Sequence, residues 1–595
     1  MARQAVLDEW SVVAELEPWV RKRYLIIKEH FGDREFTRED VMKLFEQLRK
    51  RLEKEGAEEE AKELTTVNVS EFLSVLRRVG LIKVIKDETD YRKSYYKLVH
   101  VKDTKVTRDK LISLLKSAAD QIRGGIDYKS LLLFLFYKAL SDKWVKLAER
   151  YESQGKPRIH AYILANESYY RLYDLENGKL LAWHEVVKSK DTIKEIANAL
   201  IRISEMNKEL ADLKKLVDVL GLIGFIKEDN LYRLEMIVNI FNKVDFSEFD
   251  HDLLGDAYEW ILSYFAPQKA KEGEVYTPRE VIRLIVKMLD IEDGSTVLDP
   301  ACGSGGMLIE AYRYVREKVG ENLAVKLLGQ ELNEITATLC KMNLVLHGIK
   351  DFDIKGGYDS LLNPQFEEGS ADYVLANPPW NQDGYDEMRL SDKKVKHIYK
   401  YGYTNKQSAD WAWIQLMLYL ARKKVGIVLD EGALFRTGAE GRIRKGIVER
   451  DLIECIVLLP EKLFYNTGAR GIVMILNKDK PEERKNKIMF INAVNEYEQH
   501  PEVRRLNRLN EKHISKIVDA YKEFKDIDGF ARVVSIEEIK KNDYNLNVTL
   551  YVFPEVEEEK IDLKVEMEKL KEVESREKEL MSEVVNYVDD VLRVM

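Results

Sequence analysis

The sequence predicts an α/β protein, with a mainly parallel sheet in residues 251–550, two largely helical regions before it and a charged helix after it. Three observations carry this. From about residue 251, strand-like apolar runs alternate with helical segments, the pattern of a sheet crossed by helices. Before residue 250, apolar positions recur at helical spacing. The first strand of the alternating region ends in an acidic residue and a glycine-rich turn, so a ligand is expected at the carboxyl ends of the strands.

The 595 residues are too many for one core and suggest about three to five domains. With 45% apolar residues, globular folding throughout is expected. The longest strongly apolar run, Leu131–Tyr137, is far short of the roughly 20 residues that cross a bilayer. Met1-Ala-Arg-Gln4 leads into a polar, amphipathic stretch rather than a signal peptide. Cys302, Cys340 and Cys455 form no CxxC pair, so reduced thiols, a cytoplasmic setting and no zinc site are expected. The net charge of −9 is unlike a free-standing DNA-binding domain, whose phosphate contacts need basic excess. A DNA substrate would therefore require local basic clusters or a partner that supplies much of the grip. Charged residues reach 33% and are rich in Lys and Glu, a weak thermophile-like trait.

Residues 1–105 read as a separate unit. Thr37-Arg-Glu-Asp40 resembles a capping box with Asp in the usual Glu position, followed by Val41, Leu44, Phe45 and Leu48 at helical spacing. A second helix from about Asn68 carries Phe72, Leu73, Leu76 and Val79 on one face. Two strands, Leu81–Ile85 and Ser94–Val99, are joined by the charged turn Lys86–Lys93. This is the order of a winged helix, with a small helical docking domain as the competing reading. Residues 106–250 are mainly helical, with Lys110–Ile122 and Ser130–Ala148 separated at Gly124-Gly125. The Tyr-, Ile- and Leu-rich stretch 158–185, with a turn at Gly178, fits no single element. Strands are expected at Thr296–Leu298, Leu327–Gln330, Tyr373–Ala376, Val425–Leu429, Ile453–Leu459 and Ile472–Leu476. In 551–595, Leu563, Leu570, Val584 and Val591 fall on one heptad and Met567, Met581 and Val588 on another, interrupted by Glu574 and Glu577. That pattern suits a helix packed against another subunit.

The first chemical feature is Val297-Leu-Asp-Pro-Ala-Cys-Gly-Ser-Gly-Gly306, where glycines let backbone approach a ligand and a helix start offers free N–H groups. It is neither G-x-G-x-x-G nor a P-loop. Asp299 at the strand end suits a cation, such as the ammonium of S-adenosylmethionine. Next comes Gly329-Gln-Glu331, whose carboxylate at the following strand end can accept both hydroxyls of a ribose. Asp359, in Gly356-Gly-Tyr-Asp-Ser360, is a candidate for the cofactor's adenine or for a turn. The third feature is Ala371-Asp-Tyr-Val-Leu-Ala-Asn-Pro-Pro-Trp380, a strand ending in a rigid turn. The side-chain oxygen of Asn377 and the carbonyl of Pro378 can accept from an exocyclic amino group, and Trp380 offers a face to a base outside the helix.

These residues resemble the amino-group DNA methyltransferases, most closely the modification subunits of type I restriction–modification systems. The resemblance covers about 106–551. It includes Glu274-Val-Tyr-Thr-Pro-Arg-Glu280, Ala409-Asp-Trp-Ala-Trp-Ile414, Gly432-Ala-Leu-Phe-Arg436, Leu459–Gly468 and Asn542–Asn547. It implies a Rossmann-like, S-adenosylmethionine-dependent methyltransferase domain acting on adenine N6. It implies cofactor contacts from Glu274, Tyr276, Thr277, Pro278, Ala301, Gly303, Ser304, Gly305 and Gly306, besides Asp299, Glu331 and Asp359. Asn377, Pro378, Pro379 and Trp380 then form the catalytic turn, and Phe464 is the second aromatic for a flipped base, with Tyr465 as its rival. The implied partners are double-stranded DNA, a specificity subunit and a restriction subunit, with two modification subunits per complex. Transfer is expected to be direct and in line, without a covalent intermediate, which leaves Cys302 a small loop residue.

Two departures stand out. Trp380 occupies a position where many relatives carry Phe or Tyr, and residues 1–105 precede the family's usual start. Cytosine-N4 methylation, a glutamine methyltransferase and a non-catalytic DNA-binding scaffold remain as alternatives. The chain's length and its Ala409–Ile414 and Leu459–Gly468 segments weigh against the second. The intact glycine loop and Asn377-Pro-Pro-Trp380 weigh against the third.

Overall fold

The computed structural model describes residue 16 and residues 18–553, apart from 33, 55–56, 58–60, 63, 65–68, 79–80, 87–93, 99–100, 123–124, 225, 270–276, 465–468, 501–502 and 504. Beyond 553 it describes 567, 570–571, 573–578 and 580–582. The turn 87–93, Val79, Val99, Gly124 and the heptad positions Leu563, Val584, Val588 and Val591 lie outside the described residues.

Helices Pro18–Phe31, Arg38–Lys54 and Val69–Arg78 precede strands β1 (Ile82–Lys86) and β2 (Ser94–Leu98), which pair antiparallel. Phe36 bridges to Tyr96 as a one-residue third strand. The first helix is absent from the sequence expectations, although Val20, Tyr24, Ile27 and Phe31 follow its buried face. At the start of the second, the Thr37 amide donates to Asp40 Oδ2 at 2.8 Å and the Asp40 amide donates to Thr37 Oγ1 at 3.1 Å. This capping box, closed by an aspartate, holds the Asp40 carboxyl below the usual carboxylate range. The third helix turns inward and packs on helix Gly306–Val319 of the sheet domain. Its Arg77 pairs with Asp252, at 3.1 Å, and with Glu321.

Helix Val101–Ile122 runs through position 105 without a break. Helix Lys129–Ser153 crosses the middle of the next core, with Leu131–Tyr137 wholly buried, which explains its unusually apolar sequence. Residues 158–186 resolve into helix Arg158–Ser168, a minimal hairpin of β3 (Tyr173–Asp174) and β4 (Lys179–Leu180), and the turn of helix Trp183–Val186. Helix His251–Lys269 belongs to this same core. The hydroxyl of its Tyr258 donates to the Leu339 carbonyl at 3.0 Å, on helix Glu334–Leu346 of the sheet domain. The helical region and the sheet domain therefore share apolar packing.

The main sheet has nine strands in the order β15-β12-β10-β11-β9-β8-β5-β6-β7. These are β5 (Thr296–Asp299), β6 (Lys326–Glu331), β7 (Phe352–Gly356), β8 (Ala371–Ala376), β9 (Ala421–Asp430), β10 (Ile453–Leu458), β11 (Gly471–Asn477), β12 (Lys487–Asn492) and β15 (Ala531–Ser535). A short hairpin of β13 (Glu498–Gln499) and β14 (Asn507–Arg508) lies outside it. Pairing is parallel from β7 through β9, while β11 runs antiparallel to both β9 and β10. Strands β7, β12 and β15 were not among the expected strands. Side chains alternate between two cores: Val297 and Leu375 face one, Leu298, Val374 and Ala376 the other. After β5 the chain adds β6 and β7 on one side, then returns to place β8 on the other. That reversal opens a crevice beyond the carboxyl ends of β5 and β8, where open α/β sheets bind ligands. Among the described residues, no helix is long and apolar enough to cross a membrane.

Candidate active site at the reversal point of the sheet

Both motif turns leave the sheet at this crevice. After β5, the turn is closed by the Gly305 amide donating to the Cys302 carbonyl at 2.8 Å. Gly305 has φ +87°, and a Cβ there would lie 2.8 Å from Cys340 Sγ, so conformation and space both demand glycine. The Cys302 amide donates to the Gln330 carbonyl at 3.0 Å, and the Gly303 amide to Glu331 Oε2 at 3.0 Å. Glu331, at the end of β6, thus steadies the glycine loop from the neighbouring strand.

A pocket of about 100 Å³ opens beside this turn. Thr277, Asp299, Ala301, Gly303, Ser304, Gly306 and Asn377 line it, all candidates from the sequence. Glu259, Arg279, Glu310 and Asn343 line it too, and sequence reasoning missed them. Asn343 had a readable signal, an amide side chain set among the apolar residues Met342, Leu344, Val345 and Leu346 of a buried helix. Its Nδ2 donates to the Ser304 carbonyl at 2.9 Å, while its buried Oδ1 has no partner. Asp299 is 2% exposed, and burial, followed by the nearby charge of Glu331, pushes its carboxyl up to about 8. An orphaned acceptor and a desolvated carboxyl at the start of a helix fit a polar ligand that carries a cationic amino group.

Not every candidate converges here. Glu274, Tyr276 and Tyr465 lie outside the described residues. Pro278 starts helix Arg279–Leu289 and lines a neighbouring cavity of about 260 Å³, together with Leu463 and Asn507. Asp359 is occupied in a turn: Oδ1 accepts from the Leu361 amide at 3.0 Å and Oδ2 from the Tyr385 hydroxyl at 2.9 Å. Cys302 is buried, and a hydrogen bond with Cys340, then burial, raises its thiol well above the usual range. Asp256, Glu259 and His347 cluster, but Arg313 and Arg279 pair with the two carboxylates.

At the end of β8, Pro378 is buried, Pro379 exposed and Asn377 intermediate. Asn377 Nδ2 donates to Thr277 Oγ1 at 2.7 Å, and Trp380 Nε1 donates to Asn377 Oδ1 at 2.8 Å. Trp380 meets Phe464 edge to face, with ring centroids 4.7 Å apart. Gly471 makes room for this pair, because a Cβ there would lie 2.5 Å from the Phe464 ring and 3.2 Å from Trp380. Asn377 thus borders the pocket on one side and an aromatic pair on the other. Chemically, this sets an amino-group acceptor beside a site for a cationic ligand.

A family model described as N-6 DNA Methylase matches residues 249–560. The chain is 58% identical to the type I restriction enzyme MjaVII methylase subunit of Methanocaldococcus jannaschii, over 98% of this chain and 99% of that protein. It is 50% identical to the MjaVIII methylase subunit of the same organism, over 97% and 98% respectively. Matches of that extent take in most of residues 1–105, which precede the family's usual start. The crystal structure of a type I restriction–modification methyltransferase subunit from Streptococcus thermophilus superposes with a TM-score of 0.64 at 28% identity, covering 75% of this chain and 99% of that one. With the glycine turn, the Asn-Pro-Pro-Trp turn and the sheet order all in place, the chain belongs to the N-6 DNA methylase family, among the methylase subunits of type I restriction enzymes.

Proposed function

We propose that the chain transfers a methyl group from S-adenosylmethionine to the N6 amino group of adenine in DNA, as the modification subunit of a type I complex. The observation that carries the residue assignment is Asn377, which lines the pocket of Asp299 and the glycine turn and contacts Trp380 on its other side. S-adenosylmethionine supplies an electrophilic methyl group when bound. Asp299 would face its ammonium, Ser304, Gly306 and Asn343 would hold the amino-acid end, and Glu331 would accept from the ribose. Thr277 orients the Asn377 amide so that Oδ1 points away from it. Asn377 Oδ1 and the Pro378 carbonyl would accept from the target amino group and so orient its lone pair. Pro378 and Pro379 keep that turn rigid, and Trp380 and Phe464 stack the extruded base. No protein nucleophile takes part, in keeping with a buried Cys302 whose thiol is raised above its usual range.

Double-stranded DNA, a specificity subunit and a restriction subunit are the partners, with two modification subunits per complex. The net charge of −9 supports a division of labour in which the specificity subunit supplies much of the DNA grip. The carboxyl-terminal helix carries exposed Met567, Leu570, Val573, Leu580 and Met581, an apolar face suited to that subunit. Residues 1–105 act as a brace, since their third helix is turned into the fold. The test is co-expression with the specificity subunit and mass spectrometry of nucleosides from host DNA. N6-methyladenine that disappears in Asn377→Ala is expected, with a cost of roughly 2.7–4 kcal/mol if Asn377 acts like a single oxyanion-hole donor. N4-methylcytosine would keep the site and change the target; absence of any modified base would defeat the proposal.

A further inference from the structure

Two segments singled out in the sequence, Ala409-Asp-Trp-Ala-Trp-Ile414 and Gly432-Ala-Leu-Phe-Arg436, do not line the pocket, and they belong to the core against which Trp380 packs. Their polar groups meet at Asn381 and Gln382, the residues directly after Trp380. Asn381 has φ +52°, a left-handed conformation that asparagine adopts more readily than most side chains. Every polar group of its side chain, and its amide, is held. The amide donates to Asp410 Oδ1 at 3.0 Å, Nδ2 donates to Asp430 Oδ2 at 3.0 Å, and Oδ1 accepts from Arg436. Gln382 Oε1 accepts from Trp413 Nε1 at 3.1 Å.

Arg436 sits at the centre. It donates to Asp410 at 2.8 Å, Asp430 at 2.7 Å, Glu440 at 3.3 Å and Ser408 Oγ at 3.2 Å. A Cβ on Gly432 would lie 2.6 Å from both Arg436 Nη2 and Asp430 Oδ1, so the glycine leaves the space that this ion pair fills. Trp411 Nε1 donates to the Ala433 carbonyl at 2.9 Å and ties the two segments together. Three carboxylates surround one guanidinium, the Asp410 side chain has no exposure, and Glu440 Oε1 is buried without a partner. Such a cluster is a poor source of stability, because desolvation offsets much of the attraction. What it does supply is one fixed geometry.

We propose that Asp410, Asp430, Arg436 and Trp413 are positioning residues that lock the turn 381–382 and thereby aim the Trp380 indole at the target base. The inference rests on the assignment of Asn377 and Trp380 to the base site. The complex with the specificity subunit is assayed for kcat, KM for S-adenosylmethionine, melting temperature and fluorescence of 2-aminopurine at the target adenine. Arg436→Lys, which keeps the charge and loses the fork, is expected to lower kcat by about a hundredfold, in line with a misplacement near 1 Å. Trp413→Phe, a milder change, lowers it by a smaller factor. In both, KM for S-adenosylmethionine stays within about twofold of wild type, and the 2-aminopurine signal falls. Asn377→Ala is run alongside. If it is inactive while both other variants keep kcat within about twofold, the positioning role is overturned and the base site stands. If KM and melting temperature collapse together with kcat in Trp413→Phe, the cluster is only structural and the proposal fails. Activity retained in Asn377→Ala overturns the base-site assignment and this inference with it.

Discussion

The indole N–H of Trp380 donates to Asn377 Oδ1 at 2.8 Å, so the oxygen proposed to receive the adenine amino group is already bonded to the ring proposed to stack on that adenine. Phe464 lies against the same ring. A base can enter only if this bond breaks and the two rings part. Trp380→Phe keeps a stacking surface and deletes the competing donor. Since a neutral hydrogen bond contributes about 0.5–1.5 kcal/mol net, base capture should tighten by roughly 2- to 10-fold. Brighter 2-aminopurine fluorescence in the DNA complex would show it; unchanged or dimmer signal would not. Trp380→Ala should weaken capture instead, by about 1–3 kcal/mol of lost stacking.

Gly471 opens β11 beneath the Phe464 ring, and its hydrogen is all that the gap admits. Gly471→Ala is expected to displace the ring and lose an edge-to-face contact of about 0.5–1.5 kcal/mol. Methylation should slow while the dissociation constant for S-adenosylmethionine stays unchanged, as equilibrium binding would report.

Asp299 gives the site a pH dependence. Burial raises its carboxyl to about 8, so below that pH the free protein holds a proton there. An ammonium bound beside it favours the carboxylate, and the proton must leave on binding. Affinity for S-adenosylmethionine should therefore rise with pH between 6 and 7.5, by at most about tenfold per unit, with up to one proton released. Calorimetry in buffers of different ionisation enthalpy measures that proton, and Asp299→Asn should abolish both the slope and the release.

Arg77 links the amino-terminal unit to Asp252, in the first turn of helix His251–Lys269, and to Glu321, just past the end of helix Gly306–Val319. Arg77→Ala leaves Asp252 its bond to Arg316, at 2.7 Å, and removes one partner from Glu321. A loss of about 1–3 kcal/mol is expected from denaturant unfolding of the full chain. A change within a few tenths would mean that the unit is only loosely attached.

The two turns of the site were legible because their chemistry is local: glycines at positive φ, prolines without N–H, and acidic or amide side chains at strand ends. β10 and β11 could be read as well, since they are buried on both faces and carry unbroken apolar runs. The edge strands β7 and β15 were not legible, because β7 buries only Ile354 and β15 only Ala531 and Val534. β12 buries four consecutive apolar residues, Ile488–Ile491, and its signal was there to be read. Glu259, Arg279 and Glu310 reach the pocket from helices that other elements place, so no spacing within their own segments reveals them. Asp359 shows the converse: a residue in a suggestive motif whose carboxylate closes a turn.

The reversal of strand order between β5 and β8 also dictates when this site can exist during synthesis. Asn377 meets Thr277, a hundred residues earlier in the chain, and its neighbour Trp380 waits for Phe464 and for Gly471 on a strand inserted between β9 and β10. A nascent chain emerging from the ribosome can complete the glycine turn once β6 and helix Glu334–Leu346 are made, long before it owns a base pocket. Binding of S-adenosylmethionine to ribosome-stalled intermediates should consequently precede any capacity to methylate.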